Sequence, residues 1–276
     1  MSDLKPMLLH TANGLPDNGE AWVMEPKFDG WRFVVQIDAD RQVQAFTRTG
    51  HPMQLHGIED ELPKSFPANT VLDMEVVVDG VGKQSTDVPT VLANPRAGHL
   101  VAYVFDILEL DGHDLRLFEW SDRRKLLEIA ARSFDPDYVR LTLVTEPSQE
   151  VIDAWIAEGM EGVVLKRKAS RYQGGKRSRD WLKIKPTQTI DVRITRLIEG
   201  AGKRAGQANT IEFPYRDGVA CATVPSYELA TEMWQNPDAY IGRLAEVAYY
   251  GPTTLGYLRH PQLVRMRPDK DEELAA

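Results

Sequence analysis

The segment MEPKFDGWRF, residues 24–33, places a lysine, an aspartate, a glycine and an arginine between two apolar runs. The flanking runs WVM and WRFVVQI both have strand-like composition. One interpretation is a β-hairpin with Asp29-Gly30 as its turn. The other is a lysine nucleophile held in a phosphate-binding pocket, because a deprotonated amine can attack phosphorus and nearby cations stabilise the charge that develops. Other segments of the chain must decide between them.

Further charged and aromatic residues lie in or beside strand-like segments. Glu75 lies within LDMEVVV, where a carboxylate between apolar residues needs a partner or a cation. Side chains two apart in a strand share a face, so WLKIKP directs Lys183 and Lys185 to the same side. The other candidate residues are Arg48 in TRTG, Phe105 in YVFDIL, Glu161 and Lys166 in EGVVLKR, and Arg267, Asp269 and Lys270 in RPDK. Each has a structural explanation when taken alone, such as an ion pair or a core position.

The elements that must position these residues follow from apolar periodicity. Alternation predicts strands near residues 31–37, 43–47, 71–78, 101–108, 161–166 and 181–185. Apolar stripes predict helices over residues 121–133, capped by Ser121, and 148–159, ended by Gly159. The first two thirds of the chain therefore reads as a mixed α and β domain.

The pattern changes after Lys185-Pro186. Five short strand candidates follow, separated by glycine and proline turns and interrupted by one helix candidate, SYELATEMWQNP. This arrangement is typical of a small barrel such as an OB-fold. We expect the domain boundary at residues 186–189.

Size and composition fit a soluble protein of two domains. No window has the apolar length of a membrane span, and the first twenty residues lack the features of a secretory signal. Cys221 is the only cysteine, which excludes an intramolecular disulfide and argues against a cysteine-built zinc site. These observations favour a cytoplasmic protein.

Charge is unevenly distributed. The chain carries a net charge of −8, yet residues 166–185 hold nine lysines and arginines against one aspartate, a local charge of +8. The segment also contains Tyr172 and Trp181 and lies in strand-like sequence. We therefore interpret it as a phosphate-facing surface rather than a disordered tail.

Taken together and in this order, the segments resemble the covalent nucleotidyltransferases, most closely the ATP-dependent DNA ligases of minimal size. The family motif K-x-D-G-x-R matches Lys27, Asp29, Gly30 and Arg32, and L-D-G-E matches Leu72, Asp73 and Glu75, with Met74 in place of the glycine. Five further motifs match at Arg48, at Phe105, at Glu161, Gly162 and Lys166, at Lys183 and Lys185, and at Arg267, Asp269 and Lys270. The resemblance covers about residues 20 to 270.

The resemblance implies an α+β fold. We expect a nucleotidyltransferase (adenylation) domain of antiparallel sheets with flanking helices over residues 1–187. An all-β OB-fold domain should follow over residues 188–276, with residues 186–189 as the hinge.

The resemblance also implies roles for individual residues. Lys27 is the expected nucleophile, and Glu75 and Glu161 the expected metal ligands, with ribose binding as an alternative for Glu75. The expected ATP- and AMP-binding residues are Glu25, Arg32, Arg48, Glu75, Phe105, Lys166, Lys183 and Lys185. Arg267, Asp269 and Lys270 should orient pyrophosphate. The basic segment supplies the expected DNA-binding residues, Arg167, Lys168, Arg171, Lys176, Arg177 and Arg179.

The implied activity is sealing of 5′-phosphate/3′-hydroxyl nicks in duplex DNA, with ATP and Mg²⁺, or Mn²⁺ in its place. We expect a monomer without a membrane partner. It would grip DNA with its own two domains or rely on a repair polymerase or an end-binding protein.

Several alternatives belong to the same superfamily. They are NAD-dependent ligases, which need an extra N-terminal domain and usually a four-cysteine zinc site, RNA ligases, and mRNA capping enzymes that use GTP. A catalytically idle nucleic-acid-binding module is an alternative of another class. The segment GVGKQST, residues 80–86, is not a P-loop. Val77 stands where the first glycine of that motif is required, and Gln84 stands where serine or threonine is required.

Overall fold

The computed structural model describes residues 5–80, 84–131, 135–250 and 256–271. The chain divides into two compact units, Met1–Lys185 and Pro186–Ala276, so the division lies at the start of the boundary segment 186–189 and two residues before the expected domain limit of 187. Part of GVGKQST, residues 81–83, lies outside the described residues. Within the described ranges, no helix combines the length and apolar character that crossing a membrane requires.

The first unit contains eleven strands and four α-helices among its described residues. The strands are β1 (Leu8–Thr11), β2 (Trp22–Lys27), β3 (Trp31–Ile37), β4 (Val43–Thr47), β5 (Pro52–Met53), β6 (Thr70–Val78), β7 (Leu100–Leu110), β8 (His113–Asp114), β9 (Val139–Leu141), β10 (Gly162–Arg167) and β11 (Arg177–Ile184). The helices are α1 (Ile58–Ser65), α2 (Val88–Ala93), α3 (Trp120–Ala130) and α4 (Gln149–Ala157).

These strands form two sheets. One has four strands in the order β1-β11-β10-β2, and the other has seven, in the order β5-β4-β3-β6-β7-β8 with β9 added beside β7. Pairing is antiparallel except for β1 with β11 and β9 with β7. A shared core of buried side chains from both sheets, including Val23, Val34 and Trp181, holds them together.

Each sheet also buries its other face. The seven-stranded sheet packs against α1, α2 and α3 through a large cluster that includes Leu62, Val91 and Leu127. The four-stranded sheet packs Met24 and Leu165 against Trp155 of α4. Helix α4 begins as expected, because the Ser148 hydroxyl accepts a hydrogen bond from the Val151 amide.

The second unit contains one six-stranded sheet and two α-helices among its described residues. Its elements are β12 (Gln188–Arg193), β13 (Arg196–Glu199), β14 (Ala208–Tyr215), β15 (Gly218–Thr223), α5 (Tyr227–Gln235), β16 (Leu244–Tyr249), β17 (Gln262–Met266) and α6 (Pro268–Asp271). The sheet order is β12-β16-β17-β15-β14-β13. Strands β12 and β13, separated only by residues 194–195, therefore stand at opposite ends of the sheet. The core includes Phe213, Met233 and Val247.

The structure excludes one of the two interpretations of residues 24–33, and one local expectation is wrong. Strands β2 and β3 do not form a hairpin around Asp29-Gly30, because β2 pairs with β10 and β3 pairs with β4 and β6. Helix α3 begins at Trp120 rather than being capped by Ser121; Glu119 precedes it without a side-chain cap. One of the five short strand candidates, DVRITRLIEG at residues 191–200, is divided between β12 and β13.

Candidate active site

Lys27 lies where the chain passes from one sheet to the other. It is the last residue of β2, and residues 28–30 lead directly into β3. Opposite Lys27 stands Gly162 of β10, whose φ is +145°. A Cβ on Gly162 would overlap the carbonyl oxygen of Ile184, so this glycine lets the backbones of β10 and the end of β11 approach closely beside the lysine.

Side-chain alternation gathers charged residues on one face of the four-stranded sheet. Val164 lies opposite Glu25 on one side and opposite Lys183 on the other. Because residues two apart share a face, this face carries Glu25 and Lys27 of β2, Val164 and Lys166 of β10, and Trp181 and Lys183 of β11. The face looks toward the seven-stranded sheet.

Glu161 immediately precedes β10 and bridges two lysines. Its Oε2 accepts a hydrogen bond from Lys27 Nζ, and its Oε1 accepts one from Lys185 Nζ. Burial alone would raise the pKa of Glu161, but Lys27 and Lys185 outweigh burial, and this pKa lies below its usual range. An ionised Glu161 therefore holds both amines together.

Glu25 and Lys166 form a buried ion pair. Lys166 Nζ lies 2.8 Å from Glu25 Oε2 and donates to the Phe105 carbonyl oxygen at 3.1 Å. Burial raises the pKa of Glu25 and lowers that of Lys166, and their mutual attraction opposes both shifts. Lys166, expected to bind nucleotide, is thus engaged by protein groups. Glu25 Oε1 is buried and has no hydrogen-bond partner among the described residues.

A β-bulge directs Phe105. Asp73 of β6 pairs with Asp106, and Met74 pairs with Val104, so Phe105 is the extra residue on β7. The Phe105 ring lies edge-to-face with Trp181, with 6.3 Å between ring centroids, and Lys166 Nζ lies 4.5 Å from its centroid. The bulge thereby turns an aromatic face toward the four-stranded sheet.

Arg32 is held by a buried carboxylate that the sequence motif contained but whose role was not assigned. Asp73, fully buried, accepts hydrogen bonds from Arg32 Nε at 2.8 Å and Nη2 at 2.6 Å. The Tyr172 hydroxyl donates to the same carboxylate at 2.6 Å. Burial and Asp73 raise the pKa of Tyr172, so the phenol keeps the proton it donates. Arg32, expected to bind nucleotide, is largely satisfied by protein groups.

Glu75 lies opposite Arg32 on β6 and lines the cavity between the sheets. Burial raises its pKa to about 7, and Lys27 and Arg32 only partly offset that rise. It forms no ion pair with a described residue. A desolvated carboxylate of this kind fits a bound cation or a ribose hydroxyl.

Two of the cations expected to bind nucleotide, Arg48 and Lys183, remain available to a ligand. Arg48 follows β4 and is exposed, and Lys183 is half-buried; neither has a carboxylate partner in the described part of the chain. Burial, then the nearby charges of Lys185 and Lys27, lower the pKa of Lys183. Cations without acidic partners are suited to phosphate.

A cavity of about 850 Å³ between the two sheets brings these groups together. All ten residues expected to bind nucleotide or metal line it: Glu25, Lys27, Arg32, Arg48, Glu75, Phe105, Glu161, Lys166, Lys183 and Lys185. Trp181, which the sequence analysis did not assign to the site, also lines it. Its position in WLKIKP, two residues before Lys183 and so on the same face, could have predicted this place.

Among the described residues, no group of three or more His, Cys, Asp or Glu side chains could hold a metal without help from a ligand.

The basic segment is only partly exposed. Arg167 pairs with Asp180 at 3.1 Å, and Lys168 pairs with Glu146 at 3.1 Å. Arg177 lines the cavity and donates to the Leu9 carbonyl oxygen. The remaining expected DNA-binding residues, Arg171, Lys176 and Arg179, are exposed.

The residues of RPDK form an ion-pair network in the second unit. Arg267 lies 3.0 Å from Asp191 and 2.8 Å from Asp269, and Lys270 lies 2.5 Å from Asp191. Asp191, on β12, therefore anchors both cations of the motif. No sequence motif contains Asp191, which lies 76 residues before Arg267.

Comparisons with known proteins point to one family. Residues 6–185 match the family described as "ATP dependent DNA ligase domain". The chain is 29% identical over 300 residues to a protein named "Probable DNA ligase" from Mycolicibacterium paratuberculosis, with 98% of this chain and 54% of that protein covered. It is 31% identical over 282 residues to a "Probable DNA ligase" from Streptomyces griseus, with 89% and 52% covered. The chain thus spans about half the length of these curated relatives.

One solved structure is similar to this chain over 99% of its length. The ligase domain from M. tuberculosis LigD is 26% identical, with a TM-score of 0.60, and the match covers 99% of this chain and 98% of that one. The family match covers Lys27, Glu75, Phe105, Glu161 and Lys183. The chain belongs to the family of ATP-dependent DNA ligase domains.

Proposed function

We propose that the protein is an ATP-dependent DNA ligase that seals 5′-phosphate/3′-hydroxyl nicks in duplex DNA, in repair or replication. One observation carries the proposal: the amine of Lys27 lies in a cavity beside an ionised Glu161 and several cations. Family membership and the relatives' names, "Probable DNA ligase", support the same activity.

In the first step, Lys27 Nζ attacks the α-phosphorus of ATP. A nitrogen–phosphorus bond forms, the bond to the pyrophosphate oxygen breaks, and the amine loses its proton. Glu161, hydrogen-bonded to that amine, is the group positioned to receive the proton. Lys183, Lys185 and Arg48 spread positive charge around the transferring phosphoryl group.

The base and ribose would lie toward the other end of the cavity. Phe105 offers a π-face for adenine. The buried Oε1 of Glu25 offers an acceptor for the exocyclic amine of adenine, which guanine lacks at that position. Glu75 is suited either to a ribose hydroxyl or to a metal ion.

Glu75 and Glu161 would hold Mg²⁺, or Mn²⁺ in its place. Both line the cavity, and oxygen ligands are what these hard cations prefer. When bound, the metal supplies positive charge beside the phosphates. Because only two carboxylates are offered, phosphate and water oxygens would complete its coordination.

Two further transfers complete the reaction. AMP passes from Lys27 to the 5′-phosphate of the nick, giving a DNA-adenylate, and the 3′-hydroxyl then attacks that phosphate and releases AMP. The exposed Arg171, Lys176 and Arg179 are suited to the duplex backbone, which would make affinity strongly dependent on salt.

We assign the second unit to the OB-fold class. Its sheet begins with β12 and ends with β13, two parts of one interrupted strand, as expected of a sheet that closes into a small barrel. Arg267, Asp269 and Lys270 would orient the departing pyrophosphate in the first step.

The experiment that tests the proposal offers ATP, GTP and NAD separately, each with a nicked DNA duplex and a nicked RNA duplex. We expect sealed product only with ATP and DNA, and none from Lys27→Ala. Lys64→Ala is the matched control, because Lys64 is an exposed lysine paired with Glu61. Sealing that requires GTP or NAD, or that uses only RNA, would refute the proposal.

A further inference from the structure

Four groups from four separate segments form a closed cycle of hydrogen bonds beside the cavity. The Tyr172 hydroxyl donates to Asp73 Oδ2 at 2.6 Å, and Asp73 accepts from Arg32 Nε and Nη2. Arg32 Nη1 donates to the Met7 carbonyl oxygen at 2.7 Å. The Met7 amide donates back to the Tyr172 hydroxyl at 3.0 Å. We call this set the Tyr172 cycle.

The Tyr172 cycle joins the two sheets. Arg32 and Asp73 belong to the seven-stranded sheet, on β3 and β6. Met7 precedes β1, and Tyr172 lies in the loop between β10 and β11, so both belong to the four-stranded side. The same loop also fastens the N-terminal segment, since the Leu8 amide donates to the Lys176 carbonyl oxygen at 2.8 Å.

The cycle is adjacent to the wall of the cavity. Arg32, Leu8 and Leu9 all line the cavity, and Leu8 and Leu9 directly follow Met7. Met7, Asp73 and Tyr172 are themselves buried. The hydroxyl of Tyr172 is the only group in the cycle that accepts the Met7 amide and donates to Asp73 at once. Without it, one buried donor and part of a buried charge would lose a partner.

We propose that Tyr172 is a positioning residue for nucleotide binding: its hydroxyl fixes Arg32 and the β1 wall at the spacing that the nucleotide requires. Tyr172 does not touch the cavity; it acts through Asp73, Arg32 and Met7. The proposal deepens the proposed function and rests on it for the identity of the ligand, ATP. Tyr172, which lies in the basic segment, thereby also contacts Arg32 of the K-x-D-G-x-R motif.

The test uses Tyr172→Phe in the full chain. The variant keeps the ring, which packs edge-to-face on Trp181 and under Arg123, and removes only the hydroxyl. Tyr240→Phe is the matched control, because Tyr240 is also largely buried and donates to a carboxylate, Glu232, at 2.6 Å in the second unit. Both variants are compared with wild type in ATP affinity by calorimetry without metal, and in the maximal rate of lysyl-AMP formation.

We expect Tyr172→Phe to raise the dissociation constant for ATP about tenfold, the effect of one hydrogen bond to a charged group. The maximal rate should stay within about threefold of wild type, because no group in contact with the reacting atoms is removed. Tyr240→Phe should change neither. Equal ATP affinity in the two variants would overturn the proposal, and so would a fall in maximal rate as large as the loss of affinity.

A second measurement separates this proposal from the proposed function. Amide hydrogen exchange of residues 5–12, measured without nucleotide, should be faster in Tyr172→Phe than in wild type and unchanged in Tyr240→Phe. Unchanged exchange in Tyr172→Phe would overturn the role of the cycle. If wild type binds ATP but forms no lysyl-AMP, the ligase activity fails while the affinity and exchange measurements still decide the role of Tyr172.

Discussion

At the scale of single residues, Glu161 holds the amine of Lys27, which we propose as the nucleophile. It accepts hydrogen bonds from both Lys27 and Lys185, and its pKa is lowered, so it is ionised at neutral pH. We expect Glu161→Gln to slow lysyl-AMP formation about a hundredfold, because the neutral amide neither attracts the two amines nor accepts a proton. Single-turnover transfer from labelled ATP measures this rate.

The control for this variant is Glu128→Gln, which neutralises an exposed carboxylate paired with Arg124 at 2.7 Å. It should adenylate at the wild-type rate. A Glu161→Gln protein that matched it would show that the bridge between the lysines does not serve the reaction.

Glu75 gives the protein a specific dependence of stability on pH. Burial raises its pKa from 4.5 to about 7, so between these values the folded state holds a proton that the unfolded chain has lost. Stability from this group therefore falls as pH rises through that window and stays low above it. Glu75→Gln, which cannot ionise, should be more stable than wild type at pH 8 by up to roughly 3 kcal/mol and nearly equal to it at pH 4.5.

Urea unfolding of both proteins at the two pH values checks this prediction. A stability difference that is the same at pH 4.5 and pH 8 would mean that Glu75 ionises as easily in the folded protein as in the unfolded chain. Burial makes the ionised Glu75 carboxylate unfavourable, and a bound cation would offset that cost. Metal should therefore stabilise wild type more than Glu75→Gln at pH 8.

The residue types of the site were predictable from the sequence, but some of their contacts were not. The ten expected residues all line one cavity, since each lies on a strand or directly beside the end of one. Two cations expected to bind the nucleotide, Arg32 and Lys166, line the cavity and also pair with Asp73 and Glu25. Those pairs were not predictable, because no motif spacing states which carboxylate a cation pairs with.

At the scale of elements, Gly162 controls the approach of β10 to its neighbours. Its φ is positive, and a Cβ there would overlap the Ile184 carbonyl oxygen. We expect Gly162→Ala to lower the free energy of unfolding by roughly 2–4 kcal/mol, the sum of backbone strain and crowding. It should also slow adenylation, because Lys27 is its cross-strand neighbour.

Gly159→Ala separates strain from crowding. Gly159 also has a positive φ, +92°, but a Cβ there would meet no heavy atom within 4 Å. We expect a cost of about 1 kcal/mol and normal adenylation. Denaturant titration gives both values; equal costs for the two variants would contradict the account of close strand approach beside Lys27.

The sequence predicted the central strands well and the connections between sheets poorly. Strands β3 and β4 have the expected bounds, because alternation is strong where one face is buried. The alternative of a hairpin around Asp29-Gly30 is excluded. A turn signal alone does not reveal which strands pair. Strand β1 and helices α1 and α2 were not predicted; they are short, and α1 contains Pro63, which argues against a helix.

At the scale of the whole molecule, the second unit should contribute to lysyl-AMP formation more than to the sealing of a pre-adenylated nick. Lys270 pairs with Asp191 and is the last residue of RPDK. We expect Lys270→Ala to reduce lysyl-AMP formation at least about tenfold while sealing of a pre-adenylated nick changes little, because pyrophosphate leaves only in the first step. Parallel assays of the two steps measure the difference.

Lys203→Ala is the control for this prediction, because Lys203 is an exposed lysine of the same unit. Equal losses in both assays for Lys270→Ala would refute a role restricted to pyrophosphate.

The change in the pattern of strands and turns after Lys185-Pro186 was enough to predict two units, and their division lies at that dipeptide. The ion pairs of Asp191 were not predictable, because they join residues nearly eighty positions apart.

The central claim is that Lys27 carries a nucleotide, and mass spectrometry tests it most directly. The protein is incubated with ATP and magnesium, digested at neutral pH, and searched for an AMP adduct on the peptide that contains Lys27. We expect the adduct on Lys27 Nζ, its loss in acid, and its absence from Lys27→Ala. An adduct on another residue, or none on wild-type protein, would contradict the account.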